Sequence, residues 1–115
     1  SLGKSFAQVA ERKLQSILVK TEQLRGRLLQ LVDLDAQAYL TVVESRGKSP
    51  AVKRKAKAQA IAVPREVSRL CYQLIQLTPV LVSYGNKYLL SDVEVAVELL
   101  FAAYKSAIIN VNVNQ

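Results

Sequence analysis

Histidine, methionine and tryptophan are missing altogether from this sequence, and cysteine occurs once, at Cys71. A zinc site of the ordinary cysteine/histidine kind cannot be assembled from such a chain, and a lone thiol closes no internal disulfide. That usage fits a reducing, cytoplasmic setting. Glycine and proline are scarce, with four and three residues, whereas turn-rich sandwiches and barrels need more of both. The longest uncharged run, Leu70 to Asn86, contains glutamines and Pro79 and is too short for a membrane span, and the N-terminus lacks a signal-peptide core. Because even position 1 is not methionine, the chain is expected to be a trimmed piece of something longer.

What is present is helix-forming. The 115 residues are 50% apolar, enough for one domain with a real core and too many for a disordered chain. Alanine, leucine, valine, lysine and glutamine dominate, which predicts an all-α, multihelical bundle with long helices. From Phe6 to about Ser45 there is no proline, and Ala10, Leu14, Ile17, Thr21, Leu24, Leu28, Val32, Asp35, Tyr39 and Val42 recur at steps of three and four. One helix of that length reaches about 60 Å, more than a compact monomer of this size can cover. A second copy is therefore expected, and a homodimer is the first expectation.

Gly47 then ends this helix, and Ser49 with Pro50 supplies the cap and first-turn proline of the next. Pro64 is expected to kink or restart that second helix, whose apolar face is Val67, Leu70, Cys71, Leu74 and Leu81. Gly85 and Asn86 mark the following loop, and Ser91 with Glu94 has the capping-box spacing for a last helix beginning at Asp92. The closing INVNVNQ alternates as a strand would and is ambiguous by pattern alone. The whole chain, 1–115, reads as a single helical domain.

Two apolar stripes carry polar residues. Asp35 falls at the middle of the first, between the alternatives of a buried ion pair and a functional site. If the last segment is helix, Asp92, Ala96, Leu99, Ala103, Asn110 and Asn114 fall within about 40° of one line. Alanines at that spacing let another helix come close, so this stripe and its helix are expected to be buried, with polar partners for its Asp and Asn. Asp33 lies off the first stripe and reads as a solvated charge. The net charge of +7 is concentrated in Arg46, Lys48, Lys53, Arg54, Lys55 and Lys57, a run that can attract nucleic acid or a small anion. No aromatics interleave with these cations and no zinc-finger, RRM or KH pattern appears, so nucleic acid is the weaker partner.

Taken in order, the blocks LVDLDAQAY, AVPREVSRLC, YGNKYLLSDVEVAVELL and NVNVN resemble the cyclodeaminase domain of the formimidoyltransferase-cyclodeaminase family and its free-standing relatives, some described as methenyltetrahydrofolate cyclohydrolases. Val32, Asp33, Asp35, Ala36, Ala38 and Tyr39 match V/I-D-x-D-A-x-A-aromatic. Val63 and Pro64 match a mid-helix V-P, Gly85, Asn86, Ser91 and Asp92 match G-N followed by S-D, and Asn110, Val111 and Asn114 match N-V-x-I-N with Val113 for isoleucine. The likeness spans nearly the whole chain and implies that the last segment is helix. Family members also carry a glycine-rich segment and a helix before this region and further helices after it, so the chain is expected to be a fragment of a larger cyclodeaminase-like domain. Glu94 and Ser106 depart from the small residues common there.

The resemblance implies chemistry on a one-carbon unit carried by tetrahydrofolate, with the folate as substrate and no metal or bound cofactor. In the cyclodeaminase reaction N10 attacks the formimino carbon on N5 and ammonia leaves, giving the 5,10-methenyl bridge. Such a reaction needs proton transfer more than a covalent nucleophile. On this reading Asp35 is the acid/base group and Asp92 a second catalytic group that holds or polarises the pterin or the bridging carbon. Asn110 and Asn114 orient the substrate, and Asp33 and Ser91 belong to its binding site. The basic run draws the anionic glutamate tail. Hydrolysis of the methenyl bridge uses much the same geometry and is the alternative activity. From other classes, a non-catalytic helical assembly module and a basic nucleic-acid binder are the alternatives.

Overall fold

The computed structural model describes residues 2–115, with side chains from Ser5 onward. It contains three α-helices: α1 (Leu2–Glu44), α2 (Pro50–Tyr84) and, after a single 3-10 turn (Lys87–Leu89), α3 (Leu90–Asn114). No strand occurs among the described residues, and the asparagine-rich tail is helical to Asn114.

The breaks are chemically defined. Gly47, at φ +80°, occupies the left-handed region after α1 that glycine enters without strain. Ser49 starts α2, its hydroxyl accepting from the Val52 N–H at 3.4 Å, and Pro50 sits in the first turn as expected. The helix then runs through both Pro64 and Pro79 without restarting. Each proline leaves the carbonyl four residues back without its usual donor; beside Pro79, the Thr78 hydroxyl donates to the Ile75 carbonyl at 2.7 Å. Gly85 closes α2 by donating to the Leu81 carbonyl at 2.7 Å, and a Cβ at position 85 would collide with that oxygen.

The Ser91/Glu94 capping box does not form. Asn86 acts first, its side-chain oxygen accepting from the Tyr88 N–H at 2.9 Å, so the 3-10 turn leads directly into α3 at Leu90 and Ser91 lies within the helix.

α2 is the middle element. α1 and α3 pack on it and scarcely on each other. Both neighbours are antiparallel to α2: Phe6 stacks on Tyr84 (5.9 Å between ring centroids), Arg27 meets Glu66, and Tyr72 lies beside Tyr104 (6.3 Å). The core is a row built around Leu24, Leu31 and Leu70, with Leu28, Leu34, Val63, Val67, Leu74 and Leu77 against it.

Along α1 the buried line is Ile17, Leu24, Leu31 and Ala38, continued by Ser45 just past the helix end, a strict spacing of seven. Such a line drifts slowly round a straight helix and is the seam of a left-handed supercoil. It corrects the stripe expected from the sequence, because Val32 and Tyr39 are 66% and 65% exposed and Asp35 lies at the seam's edge. On α3 the packed line is Val93, Val97, Leu100, Tyr104, Ala107 and Val111. The line expected to be buried there, Asp92, Ala96, Leu99, Ala103 and Asn110, sits about 100° away and is exposed; only Ala107 and Val111 of α3 are fully enclosed.

The result is a slab of 71 × 21 × 17 Å with a radius of gyration of 19.0 Å. A compact domain of similar length measures about 13 Å.

Candidate functional site

Three antiparallel helices that meet only through the middle one leave a trough between the outer two. Its floor is Val63, Pro64 and Val67 of α2. One wall is Leu28, Leu31, Val32 and Asp35 of α1, and the other is Ala103, Ser106, Ala107 and Asn110 of α3. The space is about 420 Å³. Small residues at 103 and 107 keep the α3 wall thin, and the apolar floor leaves the chemistry to Asp35, Ser106 and Asn110.

Asp35 is exposed and belongs to no ion pair among the described residues, where the pairs are Glu22–Arg25, Arg27–Glu66 and Glu66–Arg69. The buried ion pair that the sequence left open for it is absent there. Ser106 is tied to its own helix, donating to the Ala102 carbonyl at 2.7 Å, and the Asn110 carbonyl accepts from the Asn114 amide at 2.9 Å.

A second, neighbouring space lies past Asp35 toward the α1–α2 turn. There Val42, Ser45, Arg46 and Gly47 face Lys53, Lys57 and Ala60 across from Val113, Asn114 and Gln115, enclosing about 590 Å³. Pro64 leaves the Ala60 carbonyl without a helical donor at the junction of the two spaces. Asp35 and Arg46 are separated by about 16 Å along the helix axis. Two neighbouring spaces along the helices therefore hold a carboxylate and an amide in the first and three cations in the second.

Asp35 and Asn110 thus come together, and Asn114 lies one turn further along, in the cationic space. The other three stay apart in one copy of the chain. Asp33 is exposed on α1 outside both spaces. Ser91 lines a separate hollow with Glu94, Glu98, Val82 and Leu99 at the start of α3. Asp92 is exposed in the first turn of α3, about 27 Å along the helix from Asn110. Ser106 and Pro64 were not anticipated as lining residues. Position 106 is legible in hindsight, four residues before Asn110 and so on the same face.

Two other polar features are structural. Arg27 donates to both oxygens of Glu66, from Nε at 3.0 and 3.2 Å and from Nη2 at 2.9 Å, on the face of α1 and α2 turned from the trough. Those hydrogen bonds, and then the guanidinium charge, hold the Glu66 carboxyl below the usual carboxylate range. Cys71 is 2% exposed, and burial pushes its thiol pKa up, which suits a core residue and not a nucleophile.

The architecture is an all-helical domain with an apolar trough, a carboxylate and an amide on its facing walls and cations in the space beside it. The family profile described as formiminotransferase-cyclodeaminase matches residues 1–115. A methenyltetrahydrofolate cyclohydrolase of Methylorubrum extorquens is 31% identical over 124 residues, covering 99% of this chain and 60% of the relative. The chain belongs to the formiminotransferase-cyclodeaminase family, and it spans about three fifths of the length of the curated relative it matches. No solved structure matches the chain significantly. No described helix is long and apolar enough to cross a membrane.

Proposed function

We propose that the protein of which this chain is the helical domain acts on a one-carbon unit of tetrahydrofolate in the trough between α1 and α3, as a formimidoyltetrahydrofolate cyclodeaminase. The observation that carries this reading is the placement of Asp35 and Asn110 on facing walls of an apolar trough, with Arg46, Lys53 and Lys57 lining the neighbouring space. The pterin head lies over Val63, Pro64 and Val67, with Asn110 orienting it. Asp35 takes the proton from N10 as the N10–carbon bond forms, and returns it to the amino group that leaves as ammonia. The glutamate tail runs toward the cations beside Asn114, which add encounter rate more than selectivity.

The relative's name favours a second activity at the same atoms, addition of water across the methenyl bridge. There Asp35 removes a proton from the attacking water and returns it to N5 as the carbon–N5 bond breaks, leaving the formyl group on N10.

Formimino-tetrahydrofolate and 5,10-methenyl-tetrahydrofolate, supplied separately, separate the two activities by the direction in which methenyl absorbance changes. Asp35→Asn is expected to lower turnover of the accepted substrate by about 100-fold or more with little change in helical circular dichroism. Turnover unchanged by that substitution removes Asp35 from the mechanism.

A further inference from the structure

Two prolines lie inside α2, and the chain treats them differently. Each removes the N–H that would reach the carbonyl four residues back, Ile75 for Pro79 and Ala60 for Pro64. At Pro79, which is exposed, the preceding residue is Thr78, and its hydroxyl donates to the Ile75 carbonyl at 2.7 Å. At Pro64, which is buried, the preceding residue is Val63, the same shape with a methyl in place of the hydroxyl. The chain thus supplies a donor where water has access and none where the ring is buried in the trough floor.

Nearby hydroxyls do not make up the difference. Ser45, Ser68 and Ser106 each direct their one proton to another carbonyl, those of Val42, Arg65 and Ala102, at 2.6, 2.8 and 2.7 Å. Carbonyls away from bulk water are normally paired, so an acceptor left open here calls for a donor from outside the chain. Its place fits that use. Helix carbonyls point toward the C-terminal end, so the Ala60 oxygen points from the second space, which Ala60 lines, toward Pro64 in the floor of the first.

We propose that the Ala60 carbonyl, opened by Pro64, accepts a hydrogen bond from the amino nitrogen of the ligand's one-carbon unit, the nitrogen that leaves as ammonia. The proposal rests on the folate reading. That reading lays the pterin over Val63, Pro64 and Val67 and the glutamate tail among the cations, and so brings the N5–N10 bridge to the boundary between the two spaces. The formimino nitrogen carries N–H donors, and its protonated form is a cation, the stronger partner for a carbonyl. A methenyl bridge has no N–H to offer. The contact therefore selects the formimino substrate over the methenyl one and steadies its nitrogen while Asp35 delivers the proton. Ala60 takes no proton itself and is a positioning residue.

Whether the acceptor is open is read by nuclear magnetic resonance. Carbonyl-carbon-labelled alanine with nitrogen-labelled isoleucine leaves two carbonyls visible through the following amide, Ala60 before Ile61 and Ala107 before Ile108. Val63→Thr, which copies the Thr78–Pro79 arrangement, is expected to shift the Ala60 signal and not that of Ala107. An unmoved Ala60 signal overturns the proposal.

The ligand contact is read with two probes of the same shape, 5-formimino- and 5-formyl-tetrahydrofolate, which differ in N–H against oxygen at the one-carbon unit. The Asp35→Asn background keeps that unit in place during the titration. The chain is expected to bind the formimino probe about 10-fold more tightly, with the Ala60 signal moving for that probe alone. Pro64→Ala returns a backbone N–H to the Ala60 carbonyl and is expected to bring the two affinities together, whereas a change in floor shape by itself moves both alike. Equal binding of the probes before that substitution, or a preference that survives it, overturns the part given to Ala60 and leaves the folate reading standing. Binding of neither probe overturns the folate reading and this contact with it.

Discussion

Leu31 is the largest side chain wholly enclosed, at 2% exposure, and it sits where the α1 seam meets Leu70 of α2. Leu31→Ala removes that contact from a slab with little else to collapse inward, and is expected to lower unfolding stability by roughly 2–4 kcal/mol in urea titration. Gly26 is the converse. It lies inside α1 at negative φ, with nothing within 4 Å of where a Cβ would stand. Gly26→Ala therefore trades backbone freedom in the unfolded chain for no contact penalty, and is expected to raise stability by about 0.5–1 kcal/mol and the thermal midpoint with it. At this scale Asp35 was legible as the anomaly on α1. Its surroundings were not, because an expected stripe says which residues share a face and not what lies opposite.

At the scale of the helix, the breaks were the most legible part. Gly47, Ser49 and Pro50 act through local chemistry that needs no tertiary partner, and they do what their residue types dictate. The phase of α1 was less accessible. It carries two apolar lines, the buried one through Leu24, Leu31 and Ala38 and an exposed one through Leu29, Val32 and Tyr39. Steps of three and four pass from one line to the other, and only α2 distinguishes them. α3 is apolar almost all round, so its period could not say which side meets α2.

The pairing of α1 with α2 is registered by Arg27 and Glu66, and this makes a pH prediction. The folded chain holds Glu66 below its ordinary value, so in acid the unfolded chain protonates first and stability falls. The contribution is complete above the unfolded carboxylate pKa, about 4.3, and is lost as pH drops through the lower folded value. Glu66→Gln is expected to unfold at lower urea than wild type at neutral pH, with the difference closing in acid. A difference that persists unchanged into acid removes the ion pair as its cause.

Across the whole molecule, charge is distributed along the long axis. Acidic residues gather at the start of α3, and cations at the α1–α2 turn, in the space beside the trough. On the proposed function, Lys53→Ala with Lys57→Ala is expected to raise KM for a polyglutamylated folate several-fold while sparing kcat. The effect should shrink as ionic strength rises, because these side chains are exposed. An equal loss with a monoglutamate would place the lysines elsewhere in the reaction.

Because α1 and α3 touch α2 and scarcely each other, the gap between Asp35 and Asn110 is set by neither residue's own helix. Val63, Pro64 and Val67 act as a spacer, and their combined bulk gauges how deep and how wide an occupant the trough admits. A relative with a larger or smaller side chain at one of these three positions would present the same acid and amide at a different bite. On the proposed function, preference between two folates differing only in the bridge between N5 and N10 is then tuned from the floor, with every polar group left in place.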